Sequence, residues 1–324
     1  MKIAKCLKSA VAMAALMFAL PSPAQTFPHG QLRIVSPYPP GGGTDTLGRV
    51  LAQRYTERFG QPAIVENRPG ANGTIGTAFV AKAAPEGLTL LIVPAGHAAN
   101  PSLYKSLPYD QSRDLAPVSL LASGPLVLVI YPSLPVRSVK ELIALAHARP
   151  GELNFGSPGS GALPHLSAEL FNAMAGTKMT HVPYKGPSAA VADLMSGQVA
   201  LYFMNVIQAI PLVAAKRLRA LGVTSPQRSA VAPDIPTIAE AGLKGFDMTN
   251  WYGMLVSGGT PRQVINTINA EIKNILMLPE TRKGLSASGM VVEATTAEHF
   301  AEFLKQESAK YARVIQAAGI KGTL

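Results

Sequence analysis

Cysteine is almost missing from this chain of 324 residues, which has one, Cys6. It stands ahead of an apolar run, Val11 to Leu20, that follows Lys2, Lys5 and Lys8 and leads to Ser22-Pro23-Ala24. A positive start, a short apolar segment and a small-x-small site make up a secretory signal, with cleavage expected after Ala24. Cys6 would be removed with that segment. The remaining chain is then expected to form no disulfide and no cysteine metal centre, and to lack a lipid-bearing cysteine behind the apolar run. Long hydrophobic runs are also scarce: the signal run is too short to cross a bilayer, and no later stretch reaches its length. Charged residues make up 15% of the chain, and the basic ones, such as Arg49, Arg54, Lys82, Lys140 and Arg219, are dispersed. Without an arginine-rich run or interleaved aromatics, a nucleic-acid surface is excluded. The formal charge of +10 falls by three, to +7, once the signal lysines are gone. A mildly basic field favours anionic solutes, and it serves plain solubility equally well.

What the chain does have is a strand–loop–helix rhythm. Leu32 to Val35 reads as a strand, followed by Pro37-Tyr38-Pro39-Pro40-Gly41-Gly42-Gly43-Thr44-Asp45 and then Leu47, Val50, Leu51 and Tyr55 at helical spacing. Thr44 or Asp45 is placed to cap that helix. Three glycines before a helix start leave backbone N–H groups bare, and with the helix dipole they form an anion site. Gly41-x-Gly43-x-x-Thr46 lacks the third glycine of a dinucleotide fingerprint, and no Gly-Lys-Ser/Thr follows, so neither nucleotide motif is met. A second glycine loop, Ser157-Pro158-Gly159-Ser160-Gly161, stands between a strand at Leu153–Gly156 and a helix at His165–Ala175. Alternating strands and helices with short connections imply α/β architecture with largely parallel sheets. Two such loops imply two sheets, with ligand bound outside the strand ends.

Other groups carry two readings each. Ser157 or Ser160 could act as a nucleophile with His165 as base, but the nucleophile-elbow pattern is absent and no acid is placed to orient the base. As hydroxyl and backbone donors the same residues suit a carboxylate. His165 and Glu169 share a helix face, but two ligands do not make a metal site. His97, after the strand Leu88–Val93, is either a core histidine or a cleft residue. Tyr184 in His181-Val182-Pro183-Tyr184-Lys185-Gly186 can line a cleft with ring and hydroxyl. Trp251 and Tyr252 read equally as core or cleft.

The order of PYPPGGGTDTLGRVLAQ, VENRPGANGTIGTAFVAKAAPEGLTLL, NPSLYKSLPYD, SLPVRSVKELIALA, HVPYKGPSAAVADLMSGQV, LRALGVTSPQRS and APDIPTIAEAGLKGF resembles the periplasmic solute receptors of tripartite tricarboxylate transporters, the Bug-type receptors. The resemblance spans nearly the whole chain after the signal. It implies a type II periplasmic-binding fold, with two α/β domains at residues 25–124 plus 226–324 and 125–225. The crossings would fall near Ser123–Leu126 and Val223–Ser225, with a ligand cleft between the domains. It also implies a monomer in the periplasm that binds a small carboxylate, catalyses nothing and holds no cofactor or metal. The protein partner would be the large and small membrane subunits of a transporter, or a sensor kinase in a signalling relative. By motif position the ligand groups would come from Tyr38, Gly42, Gly43, Thr44 and Asp45, from Ser157, Gly159, Ser160, Gly161 and His165, and from His97 and Tyr184. One departure stands out: where relatives carry Phe-Asp-Asn, this chain has Phe203-Met204-Asn205. Met204 cannot hold an ammonium, so the expected ligand lacks an amino group and has room for an apolar or aromatic body, with Asn205 beside it.

Overall fold

The computed structural model describes residues 30–322. The chain opens as β1 (Leu32–Ser36), α1 (Gly43–Phe59), β2 (Ala63–Asn67), α2 (Thr74–Ala81) and β3 (Thr89–Pro94). A 3₁₀ turn at Ala95–Ala99 leads into the short α3 (Asn100–Leu103) and then β4 (Leu115–Gly124). Next come β5 (Leu126–Ile130), α4 (Val139–Ala148), β6 (Asn154–Ser157), α5 (Leu163–Ala175), β7 (Thr180–Pro183), α6 (Pro187–Ser196), β8 (Leu201–Asn205), α7 (Val206–Ala214) and β9 (Arg219–Val223). The chain finishes with β10 (Asn250–Ser257), α8 (Arg262–Met277), α9 (Pro279–Ala287), β11 (Val291–Val292) and α10 (Ala297–Ala317).

The strands form two sheets, ordered β11-β4-β10-β3-β1-β2 and β7-β6-β8-β5-β9. Read from the outer strand inward, both sheets follow one plan. Three strands run parallel (β2, β1, β3 in the first; β7, β6, β8 in the second), and the fourth strand is antiparallel to its neighbours. That fourth strand is the one arriving from the other sheet. β5 follows β4 across Pro125, and β10 follows β9 through residues 224–249. Neither arrives through a crossover helix of its own sheet, so neither is held to the parallel direction. After β9 the chain keeps to the edge of the second sheet: Ile238 N donates to Val223 O (2.9 Å) and Met248 N donates to Thr224 O (3.0 Å). It rejoins the first sheet at Asn250.

Helix α1 packs Leu47, Leu51 and Tyr55 onto the first sheet, in a cluster with Ile265, Ile268 and Ile272 of α8. Each such aliphatic side chain contributes roughly 2 kcal/mol by leaving water. The largest cluster crosses between the two halves, linking Leu91 and Val93 of β3 to Phe300 and Tyr311 of α10 and to Leu166 and Phe171 of α5. Strand β8 divides its side chains by alternation: Leu201 and Phe203 join that cluster, while Tyr202 and Met204 join a third with Val127, Val129 and Leu194. Ser138 caps α4 by accepting from Glu141 N (3.2 Å), and Glu141 returns the bond to Arg137 N (2.7 Å), one residue earlier than a capping box would place it.

Candidate ligand cleft

Five connecting segments and one strand end, at the same edges of the two sheets, line one cleft of about 1060 Å³. Tyr38–Gly43 follows β1, Pro69–Gly73 follows β2, and Gly96 follows β3, which ends at Pro94 in the lining. From the second sheet come Pro158–Ser160 after β6, Lys185–Gly186 after β7 and Asn205 at the end of β8. Asn250 and Tyr252, at the start of β10, close the inner wall.

Five helices begin in this lining, with Gly42, Gly73, Ala162, Gly186 and Asn205 as the N-caps of α1, α2, α5, α6 and α7. In none of them does a side chain bond the exposed N–H groups of the first turn. The helices that do have side-chain caps, α4 with Ser138 and α10 with Thr296, start elsewhere. Each bare start carries the equivalent of roughly half a positive charge. The lining contains no aspartate or glutamate, and its one cationic side chain is Lys185. The cleft is therefore electropositive mainly through its backbone, and it suits an anion.

The loops are shaped for close approach. A Cβ added at Gly43 would stand 2.1 Å from the Tyr252 hydroxyl oxygen, so glycine is what lets that phenol sit against the start of α1. Tyr252 accepts from Asn250 Nδ2 (2.8 Å), and burial pushes its pKa up to about 12, which keeps the hydroxyl neutral. Ala71 and Asn72 both take left-handed φ, +45° and +50°, at a cost of order 1 kcal/mol each. That turn is held by the Tyr38 hydroxyl, which donates within reach of both Asn72 O (3.2 Å) and Asn72 Oδ1 (3.1 Å). Asn72 Nδ2 in turn donates to Asn100 Oδ1 (2.9 Å).

Residues 47–320 match the family described as tripartite tricarboxylate transporter family receptor. The chain belongs to that family. It is 37% identical to the protein BugT of Bordetella pertussis over 305 residues, covering 94% of each chain. Among solved structures it is similar to Rpa4515 of R. palustris with adipate, with a TM-score of 0.83 and 35% identity over 90% of this chain and 98% of that one. It is also similar to MatC from Rhodopseudomonas palustris with bound malate, with a TM-score of 0.79 and 30% identity over 89% of this chain and all of that one (100%). The two-sheet architecture is the type II periplasmic-binding fold, with the cleft between its two α/β halves.

Within this receptor, Tyr38, Gly42, Gly43, Thr44, Gly159, Ser160 and Asn205 line the cleft, and the other expected site residues do not. Neither Thr44 nor Asp45 caps α1, because the helix starts at Gly43 and both residues lie inside its first turn. Thr44 shares a hydrogen bond with Ser36 Oγ (2.8 Å). Asp45 faces the back of the loop, accepting from Gly41 N (3.0 Å), Arg49 Nε (2.9 Å) and Nη2 (3.0 Å), and Asn67 Nδ2 (3.0 Å). Burial alone would raise its pKa, but these donors outweigh it and hold the carboxyl below the usual range.

Ser157 is fully buried, with Oγ 2.6 Å from His181 Nε2. The His181 ring stacks on His165 at 3.8 Å and 12°. Burial, reinforced by His165, pushes the His181 pKa down to about 3. Gly161 N donates to His165 Nδ1 (2.9 Å), so that nitrogen carries no proton, and Nε2 faces Glu169 at 3.5 Å. The partner of Ser157 is thus His181 where the sequence suggested His165, and the pair anchors the loop out of reach of the cleft. Tyr184 donates to Asp193 Oδ2 (2.6 Å). His97 lies in the lining of a separate cavity, with Leu255 and Leu304, and burial alone lowers its pKa to about 4. Met204 has no exposed surface and packs with Val127 and Val129, so it does not shape the ligand's environment.

Proposed function

We propose that this receptor captures a small organic anion with one or two carboxylates and no ammonium, outside the cytoplasmic membrane, and delivers it to a transporter of the tripartite tricarboxylate type. The observation that carries this reading is the set of five uncapped helix starts in a lining without a single acidic side chain. Oriented N–H groups stabilise carboxylate oxygens without the desolvation cost of a buried cation. A ligand ammonium would meet no carboxylate there. The whole lining, and not Met204, thus disfavours an amine. Adipate and malate in the related structures support the carboxylate class. No group in the lining is built as a nucleophile: Ser160 has no histidine bonded to it, and Ser157 is enclosed. In this reading residues 1–24 are removed on export, residues 25–124 with the C-terminal part and residues 125–225 form the two moving domains, and the crossings beside Pro125 and Thr224 act as hinges.

Thermal-shift and calorimetric titrations with succinate, malate, glutarate and benzoate, set against aspartate and glutamate, test this. At least one carboxylate without an amine is expected to raise the melting temperature, and succinate to bind more tightly than aspartate. Aspartate or glutamate binding several-fold tighter than its matched dicarboxylate would sink the reading. So would a panel in which no carboxylate binds. Purified from the periplasmic fraction, the chain is expected to begin at Gln25.

A further inference from the structure

The helix starts in the cleft are neutral groups carrying partial charge. Lys185 is the one side chain in the lining with a full positive charge. It is exposed, and it makes no ion pair or hydrogen bond with any described residue. It stands directly before Gly186, the N-cap of α6, at the end of β7.

The strand order sets where that lies along the cleft. In the second sheet β8 neighbours β5, the strand arriving from the crossing, then comes β6, and β7 forms the outer edge. Neighbouring strands lie about 4.8 Å apart, so Asn205, Gly159–Ser160 and Lys185 form a row whose ends are on the order of 10 Å apart. The middle and outer loops touch: a Cβ added at Gly159 would stand 3.8 Å from Tyr184 O. The inner and middle parts of the row offer only backbone, hydroxyl and amide donors, while the outer end offers an ammonium.

We infer that Lys185 receives a second carboxylate at the outer end of the cleft, while the bare helix starts further in hold the first. This rests on the carboxylate reading given above. It makes Lys185 a specificity residue, selecting ligands by the presence and reach of a distal carboxylate. A monocarboxylate would leave the ammonium in water and lose nothing. A dicarboxylate long enough to reach would gain a charge-assisted bond, and closure of the cleft would strengthen it by excluding water. Because Lys185 is exposed in the structure described, the gain is modest, about three- to tenfold in affinity.

Calorimetry tests this with the linear dicarboxylates from malonate to suberate, each against the linear monocarboxylate of the same length. The proteins are the unmodified chain, Lys185→Gln and Lys185→Arg. The unmodified chain should prefer the dicarboxylate from a threshold length onward, and added salt should shrink that preference. Lys185→Gln should bring the ratio close to unity by weakening the dicarboxylates more than the monocarboxylates, and Lys185→Arg should preserve it. A dicarboxylate preference that survives intact in Lys185→Gln overturns the assignment and leaves the carboxylate reading standing. If the unmodified chain binds neither series, the carboxylate reading falls, and the assignment with it. Superimposable thermal melts of the three proteins would show that the substitutions alter the ligand and not the fold.

Discussion

Asp45 is the carboxylate that sits nearest the glycine loop, and it faces away from the ligand. Its oxygens tie Gly41 N, Arg49 and Asn67 together, fixing Pro39–Gly42 from behind. Asp45→Asn should cost about 1–2 kcal/mol through the bonds to Gly41 and Asn67, with little from the exposed Arg49. The pH dependence has a definite sign. The folded pKa is depressed, so the contribution is complete above the ordinary aspartate value of 3.8 and fades as pH falls through the lower folded value. Urea melts should therefore show a constant gap between the two proteins near neutrality that narrows below about pH 4. A gap that does not change with pH would mean the carboxylate charge is not what holds the loop. Residues such as Asp45, Ser157, His165, Tyr184 and Met204 show where sequence reasoning stops. The glycine loops beside Asp45, Ser157 and His165 are legible from glycines placed between a strand and a helix, but the side each of these residues faces depends on partners far along the chain. Asn67 for Asp45 and His181 for Ser157 are such partners, and no local spacing announces them.

Among the elements, β10 is the one whose neighbours explain why it was hard to read. All eight of its residues, Asn250–Ser257, are buried. A strand covered on both faces has no alternation to reveal it. A glycine in its middle weakens the propensity signal further. Gly253 is required there by α10: a Cβ at that position would stand 1.9 Å from Phe300 Cζ. Gly253→Ala should destabilise the receptor by about 3 kcal/mol through overpacking, and Phe300→Leu added to it should recover part of the loss. Thermal or urea melts of both variants check this. Full additivity of the two losses would mean that the contact is not the cause. Helix α7 was hidden for another reason. It follows β8 with no intervening loop, and Pro211 stands inside it, where proline usually marks an end. By contrast α5, expected over His165–Ala175, is legible from its apolar face, although it starts two residues earlier at Leu163. Of the two β10 residues in the cleft lining, Tyr252 reads equally as core or cleft and Asn250 gives no local signal, because nothing in the pattern marks the strand that carries them.

At the scale of the whole molecule, the bare helix starts of the cleft are divided between two sheets that the chain connects by two crossings. Gly42 and Gly73 belong to the first half, and Ala162, Gly186 and Asn205 to the second. On the proposed reading neither half alone surrounds the carboxylate, so binding would draw the halves together. Residues of α10 and α5 share one buried cluster, so closure as proposed would slide these helices past each other and not separate them. The bound receptor should therefore be more compact than the free one, and small-angle scattering should record a smaller radius of gyration at saturating ligand. Because each half completes the other's site, Gly43→Val in the first half and Gly159→Val in the second should each weaken binding. Each should also suppress the contraction at ligand concentrations that saturate the unmodified chain. Gly159 has φ +146° and Gly43 meets Tyr252, so amide exchange across the strands must first show that both variants keep their sheets. With the sheets intact, a contraction that persists in either variant would place the ligand within one half and rule out a pincer formed by both.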